Sequence, residues 1–141
     1  MRSMIVEDDT VSRKILHKML APFGECVMAA DAVTALDHFM RRLKSAERFD
    51  LICCDIVMPV MDGHELLSKV RSAEKHAQVS DLHTVKIIMT SSASTPENVR
   101  MAMKEGRCES FLVKPVDRSR LYKELVNLKL ITALDVARER D

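Results

Sequence analysis

Four short stretches of this 141-residue chain end in groups that can do metal or phosphoryl chemistry. Glu7, Asp8 and Asp9 follow the apolar run 3–6, and Asp55 follows 50–54. Thr90, Ser91 and Ser92 follow 85–89, and Lys114 and Pro115 follow 110–113. Carboxylates drawn together repel one another, so a proton or a cation must join them. Magnesium suits such a group, because it is hard and takes one or two carboxylates, waters and a phosphate oxygen. A lysine can neutralise a phosphoryl group from the other side, and a hydroxyl can donate to one of its oxygens. This set matches phosphoryl transfer, which needs charge neutralisation and in-line positioning. A carboxylate can itself accept the phosphoryl group as a nucleophile.

The elements that must position these groups alternate along the chain. "SMIV" (3–6), "ECVMA" (25–29), "DLICC" (50–54), "VKIIM" (85–89) and "SFLV" (110–113) read as strands. Between them lie segments of helical period. The first is capped by Thr10, carries Val11, Ile15, Leu16 and Met19, and stops at Pro22 and Gly24. Asp31 caps a second, with Leu36, Phe39, Met40 and Leu43 at i, i+3, i+4 and i+7. Leu66, Leu67 and Val70 mark a third, and the polar stretch 72–84 ends it and forms a loop. Thr95 and Pro96 open a fourth, which Gly106 stops. Asp117 opens the last, with Leu121, Leu125 and Leu128. Five strands alternating with five helices predict a doubly wound parallel α/β sheet covered on both faces. Ligands of such sheets bind beyond the carboxyl ends of the strands, which is where the acids, hydroxyls and lysine fall.

Bulk properties narrow the classes. The chain is 47% hydrophobic and 30% charged, as in globular proteins, and residues 1–141 suit one domain with one core over about 2–130. Residues 131–141 read as a helix extension or a frayed tail. The net charge of +1 makes no overall case for nucleic acid or an anionic membrane. No apolar run is long enough to insert in a bilayer, and no secretory leader opens the sequence. A cytoplasmic protein is expected. Cys26, Cys53, Cys54 and Cys108 lack metal spacing and read as reduced core residues. The five histidines, His17, His38, His64, His76 and His83, read as surface residues, and the ten methionines as mostly core.

Taken in order, "MIVEDD" (4–9), "DIVMPVMDG" (55–63), "IIMTSS" (87–92) and "FLVKP" (111–115) resemble the receiver domain of two-component response regulators. The resemblance implies a flavodoxin-like sheet of order 2-1-3-4-5. It implies that Asp55 is the phospho-acceptor. Mg²⁺ would be held by Asp8, Asp55 and the backbone carbonyl of Val57, with Glu7 acting mostly through water. Lys114 would pair with the phosphoryl group, Ser91 would be the switch hydroxyl and Phe111 the switch aromatic. The Lys114–Pro115 peptide would be cis. The phosphoryl donor would be a sensor histidine kinase or histidine phosphotransfer protein. An output partner, or a second copy in a homodimer, would meet the face of the fourth helix, fifth strand and fifth helix, with Arg100, Lys104 and Tyr122 as candidate contacts. The only reactions catalysed would be the protein's own phosphorylation and dephosphorylation. Val57 and Ala93 stand where the family tunes the lifetime of the phosphoryl group. Both are apolar and cannot orient water, so slow dephosphorylation is expected.

This chain departs from the family in places. Ser92 replaces the usual alanine or glycine, which leaves Thr90 and Ser92 beside Ser91 as candidate hydroxyls. "GRCESF" (106–111) is one residue longer than usual, and Ala32 replaces a common glycine. Read singly, the residues have plainer roles: Asp8 as a helix cap, Asp9 as a cap together with Thr10, Asp62 as a turn residue, Lys114 as a solvated lysine. Two other functions compete. A Mg²⁺ phosphatase or phosphotransferase of the haloacid dehalogenase kind also uses a strand-end aspartate, but wants a second acid where Val57 stands. A docking module independent of phosphorylation would not need the full set Glu7, Asp8, Asp55, Ser91 and Lys114. No effector domain fits in the remaining dozen residues, so a single-domain regulator or a receiver from a longer chain is expected.

Overall fold

Apolar and β-branched residues fill five strands: β1 (Ser3–Val6), β2 (Cys26–Ala29), β3 (Leu51–Asp55), β4 (Lys86–Ser91) and β5 (Ser110–Val113). The helices are α1 (Thr10–Leu20), α2 (Ala32–Arg42), α3 (Gly63–His76), α4 (Pro96–Met103), α5 (Arg118–Asn127) and α6 (Ala133–Glu139). This is a computed structural model, and it describes residues 1–92, 95–104 and 107–139. The strands form one parallel sheet of order β2-β1-β3-β4-β5, the order that the resemblance implies. Among the described residues no helix is long and apolar enough to cross a membrane.

Strand residues alternate between two cores. Met4, Val6, Ile52, Cys54, Ile87 and Met89 face α2, α3 and α4. Ile5, Leu51, Cys53, Ile88 and Leu112 face α1 and α5. Truncating a fully buried residue of this kind to alanine costs roughly 2–5 kcal/mol, far more than an exposed ion pair contributes. The two-sided core therefore dictates the strand order, and the register follows.

That register gathers the site. Val6 pairs with Cys54, so Glu7 falls level with Asp55. Asp55 pairs with Thr90, and Ser91 with Val113, so Lys114 follows one step beyond. The Lys114 amide donates to the Ser91 carbonyl at 3.0 Å. β4 runs to Ser91, beyond the expected end at Met89, so Thr90 and Ser91 are strand residues.

Helix caps refine the sequence reading. Asp31 and Asp117 cap α2 and α5 as expected. At α1 the cap is Asp9, whose carboxylate accepts from the Ser12 amide at 2.9 Å, and Thr10 is the first helical residue. Asp62 is the cap of α3, accepting from the Glu65 amide at 2.9 Å, and not a plain turn residue. The stop expected at Gly106 lies outside the described residues.

The tail differs from both expectations, since a sixth helix follows a turn. α5 ends where the Leu130 amide donates to the Leu125 carbonyl and the Lys129 amide to the Val126 carbonyl, both at 2.9 Å. Lys129 takes the left-handed conformation at φ 60° that such an end requires. Glycine usually marks this ending, and its absence hides the break. Buried Ile131 anchors the turn. Thr132 and Asp135 then cap α6 reciprocally, with bonds of 2.8 and 3.1 Å.

At the opposite end of the sheet from the acids, Arg71 of α3 ties three elements together. Its guanidinium donates to Glu74 at 2.7 Å, to the Val85 and Arg107 carbonyls at 2.8 and 2.9 Å, and to Glu109 at 3.1 Å. Glu74 is buried and also accepts from the Val85 amide at 2.7 Å. Removing the guanidinium would leave the buried Glu74 and the part-buried Glu109 carboxylates without their cation. Arg71→Ala is expected to lower the unfolding free energy by about 3 kcal/mol in a urea titration. A loss no larger than an exposed ion pair would give contradicts this account.

Candidate functional site

The site begins where β1 runs out. Glu7 is buried, Asp8 is exposed at the mouth, and Asp9 turns away to cap α1. Asp9 is thus a capping residue and leaves two acids of the loop free for the site. Glu7 Oε2 accepts from the Asp9 amide at 3.3 Å, which fixes the carboxylate back against its own loop.

Asp55 closes β3, and its side chain is buried. The chain then turns sharply through Met58, Pro59 and Val60 to start α3. The Gly63 amide donates to the Ile56 carbonyl at 2.8 Å. A Cβ at Gly63 would lie 2.5 Å from the Asp55 carbonyl oxygen and 2.8 Å from Ile56 Cα, so only glycine lets α3 start against the strand end. Val60 sits at φ 70° and is 97% exposed, an unfavourable conformation for a β-branched residue with no burial in return. Val57 is also exposed.

Lys114 directly follows β5, and the Lys114–Pro115 peptide is cis. Its ammonium donates to Glu7 Oε1 and lies 3.2 Å from Asp55 Oδ2. Burial lowers the Lys114 pKa, but the Glu7 hydrogen bond and the Asp55 charge outweigh it and hold it above its ordinary value. Burial pushes the Glu7 carboxyl up to about 7; Lys114 opposes this shift and Asp55 adds to it. Carboxylate oxygens of Glu7, Asp8 and Asp55 all lie within 4.8 Å of one another. The donors are all oxygen, with no thiolate or imidazole among them, which fits a hard divalent cation.

The remaining candidates fall around this centre. Thr90 is buried beside Asp55, with its hydroxyl 3.5 Å from the Cys54 carbonyl oxygen. Ser91 is fully buried at the end of β4, and Ser92 is exposed. Phe111 is half-buried on β5 and packs against the core under α2–α4. Ala93 lies outside the described residues.

Several residues take places that the sequence did not suggest. Tyr122 is buried: its hydroxyl donates to the Met19 carbonyl at 3.0 Å and its ring meets Phe23 edge-on, so it cannot serve as a partner contact. It lies on the α1 side of α5. Arg100 and Lys104 are exposed. His64 is only half-exposed; both ring nitrogens are buried and have no hydrogen-bond partner among the described residues. Met28, Met40, Met101 and Met103 are exposed, not core. Burial raises the thiols of Cys53, to about 12, and Cys54, consistent with inert core cysteines. Arg13 belongs to none of the four sequence motifs, yet its guanidinium donates to the Glu7 carbonyl at 2.8 Å. The available signal was a cation in the first turn of α1, where the helix dipole disfavours one.

This geometry, an acid triad and a lysine at the carboxyl edge of a 2-1-3-4-5 sheet, agrees with the comparisons to known proteins. The model of the response regulator receiver domain matches residues 4–126. The chain belongs to that family, the receiver domains of two-component signalling. It is 34% identical over 125 residues to the probable transcriptional regulator ycf29 of Porphyra purpurea, covering 89% of this chain and 54% of that protein. It thus spans about half the length of that relative. It is 32% identical over 129 residues to the two-component response regulator ORR11 of Oryza sativa, covering 87% of this chain and 79% of that one. Among solved structures it is similar to the receiver domain of the histidine kinase CKI1 from Arabidopsis thaliana, complexed with Mg²⁺ and BeF₃⁻. That match has a TM-score of 0.74 and 26% identity over 92% of this chain and 90% of that one.

The raised Glu7 carboxyl has a consequence for stability. Between the ordinary value of 4.5 and about 7, the folded chain keeps a proton that the unfolded chain gives up. The unfolded state therefore binds fewer protons in this window, and the contribution of Glu7 to stability falls as pH rises through it. In metal-free buffer, the melting temperature of wild type relative to Glu7→Gln is expected to drop between pH 5 and pH 8. A difference that stays flat with pH would rule out a raised Glu7.

Proposed function

We propose that this chain is a phospho-accepting switch, with Asp55 as the acceptor. The observation that carries this is the convergence of Glu7, Asp8 and Asp55 within 4.8 Å, with the Lys114 ammonium 3.2 Å from Asp55. The donor is a histidine kinase or a histidine phosphotransfer protein. Exposed apolar side chains on the elements that follow β1 and β3 suit its landing: Val11 and Ile15 of α1, and Val57 and Val60 after β3. The protein works in the cytoplasm and catalyses no reaction but its own phosphorylation and dephosphorylation.

In the transfer, an Asp55 carboxylate oxygen forms a bond to phosphorus as the donor's N–P bond breaks, and the electron pair leaves with the imidazole nitrogen. Asp8 and Asp55 with the Val57 carbonyl, and Glu7 through water, would hold Mg²⁺, which neutralises phosphoryl oxygens when bound. Lys114 answers the added negative charge from the other side. Ser91 then donates its hydroxyl to the phosphoryl group, and Phe111 turns into the space vacated. The result is a repacked face of α4, β5 and α5, offered to an output partner or to a second copy.

Incubation with Mg²⁺ and a small acyl-phosphate donor is expected to add one phosphoryl group, located at Asp55 by mass spectrometry and absent in Asp55→Asn. Labelling of Asp55→Asn at an unchanged level, or sustained turnover of a generic phosphate ester, would overturn the reading. Because Val57 cannot orient water, the adduct is expected to decay over minutes or longer at neutral pH with Mg²⁺. A half-life of seconds contradicts that lifetime.

A further inference from the structure

We infer that Arg13 is a positioning residue for the acid pair, holding the backbone under Glu7 and Asp8 so that their carboxylates converge on one cation. This rests on the proposed function and adds a residue to it. Arg13 Nη1 donates to the Glu7 carbonyl at 2.8 Å and approaches the Asp8 carbonyl at 3.5 Å. Helical side chains tilt toward the helix N-terminus, so a long side chain in the first turn lies back over the loop that precedes it.

Local rules disfavour this arginine. A cation in the first turn opposes the helix dipole; α1 has no acid within that turn, and the Asp9 carboxylate at the cap supplies the offset. The placement makes sense through the loop. Glu7 is fully buried, and its carbonyl lies beyond the last paired residue of β1, where it needs a donor. The Arg13 amide donates to the Asp9 carbonyl at 2.9 Å, and the Asp9 carboxylate holds the Ser12 amide at 2.9 Å. Residues 7–9 are therefore tied from both sides: the Glu7 and Asp9 carbonyls to Arg13, the Asp9 carboxylate to the Ser12 amide, and the Glu7 carboxylate to Lys114.

Two effects of Arg13 on a bound cation oppose each other. Its charge repels the cation, while its hydrogen bonds keep the acids converged. The guanidinium bonds to carbonyl oxygens and not to the carboxylates, so it takes up no carboxylate oxygen that a cation would use. On this proposal positioning outweighs repulsion.

The two effects predict opposite signs, which a calorimetric Mg²⁺ titration separates. For positioning, Arg13→Ala weakens Mg²⁺ binding about tenfold, a usual size for outer-shell support of metal ligands. Arg13→Lys, which keeps the charge and one donor, recovers part of the loss. The Mg²⁺ concentration for half-maximal labelling of Asp55 rises in the same proportion. Arg13→Gln, neutral with an amide donor, carries the test if the alanine variant does not fold. Unchanged or tighter binding in a folded neutral variant overturns the role of Arg13. A wild-type protein that binds no Mg²⁺ overturns the proposed function itself.

Discussion

One electrostatic imbalance governs the carboxyl edge of this sheet. Three carboxylates approach one another within 4.8 Å, two of them buried, and among the described residues the Lys114 ammonium is the one that reaches into the group. Lys114 cannot balance all of that charge. Burial pushes the Glu7 carboxyl up to about 7, and the neighbouring Asp55 adds to that shift while Lys114 opposes it. A site in this state is receptive to added positive charge, and its donors are of the type that hard cations prefer. On the proposed reading, the same imbalance makes Asp55 a nucleophile that accepts a phosphoryl group only with cationic help.

The rest of the fold keeps the imbalance in place. The buried faces of β1, β3, β4 and β5 hold the strands in register, and that register puts Glu7 level with Asp55, Ser91 one residue beyond and Lys114 one residue beyond that. Gly63 lets α3 start against the end of β3, so the acceptor loop is short. At the other end of the sheet, Arg71 joins α3 to the start of β4 and to the residues before β5. The end that holds the acids is braced by the ion pairs of Lys114 with Glu7 and Asp55, by Arg13 on the Glu7 carbonyl and by the Asp9 cap.

The core on the α2–α4 side gives the proposed switch somewhere to go. Phe111 is already half-buried against it. Tyr122 takes no part, because its hydroxyl and ring are committed to Met19 and Phe23. The output face on this reading is made of exposed Arg100, Lys104, Met101 and Val113, not of an aromatic on α5.

Much of this was legible in the residues. Alternating apolar runs and helical stretches indicated five parallel strands. The acids, hydroxyls and lysine just past those runs indicated one shared edge, since parallel strands all point the same way. Local chemistry was readable too: Asp31 and Asp117 are caps because their side chains bond amides two or three residues on. What the sequence left open depends on the folded geometry. The burial of Tyr122 against Met19 and Phe23 is a contact between residues far apart in the chain. The choice of Asp9 over Thr10 as cap, the turn at Lys129 and the reach of Arg13 are local, yet each follows from a backbone conformation that residue type alone does not fix. A side chain's type announces what it can bond; which partner lies within reach is decided by the folded backbone. The chemistry available at the site was therefore set by sequence, and its charge balance by tertiary structure, because burial and separation determine how strongly charges interact.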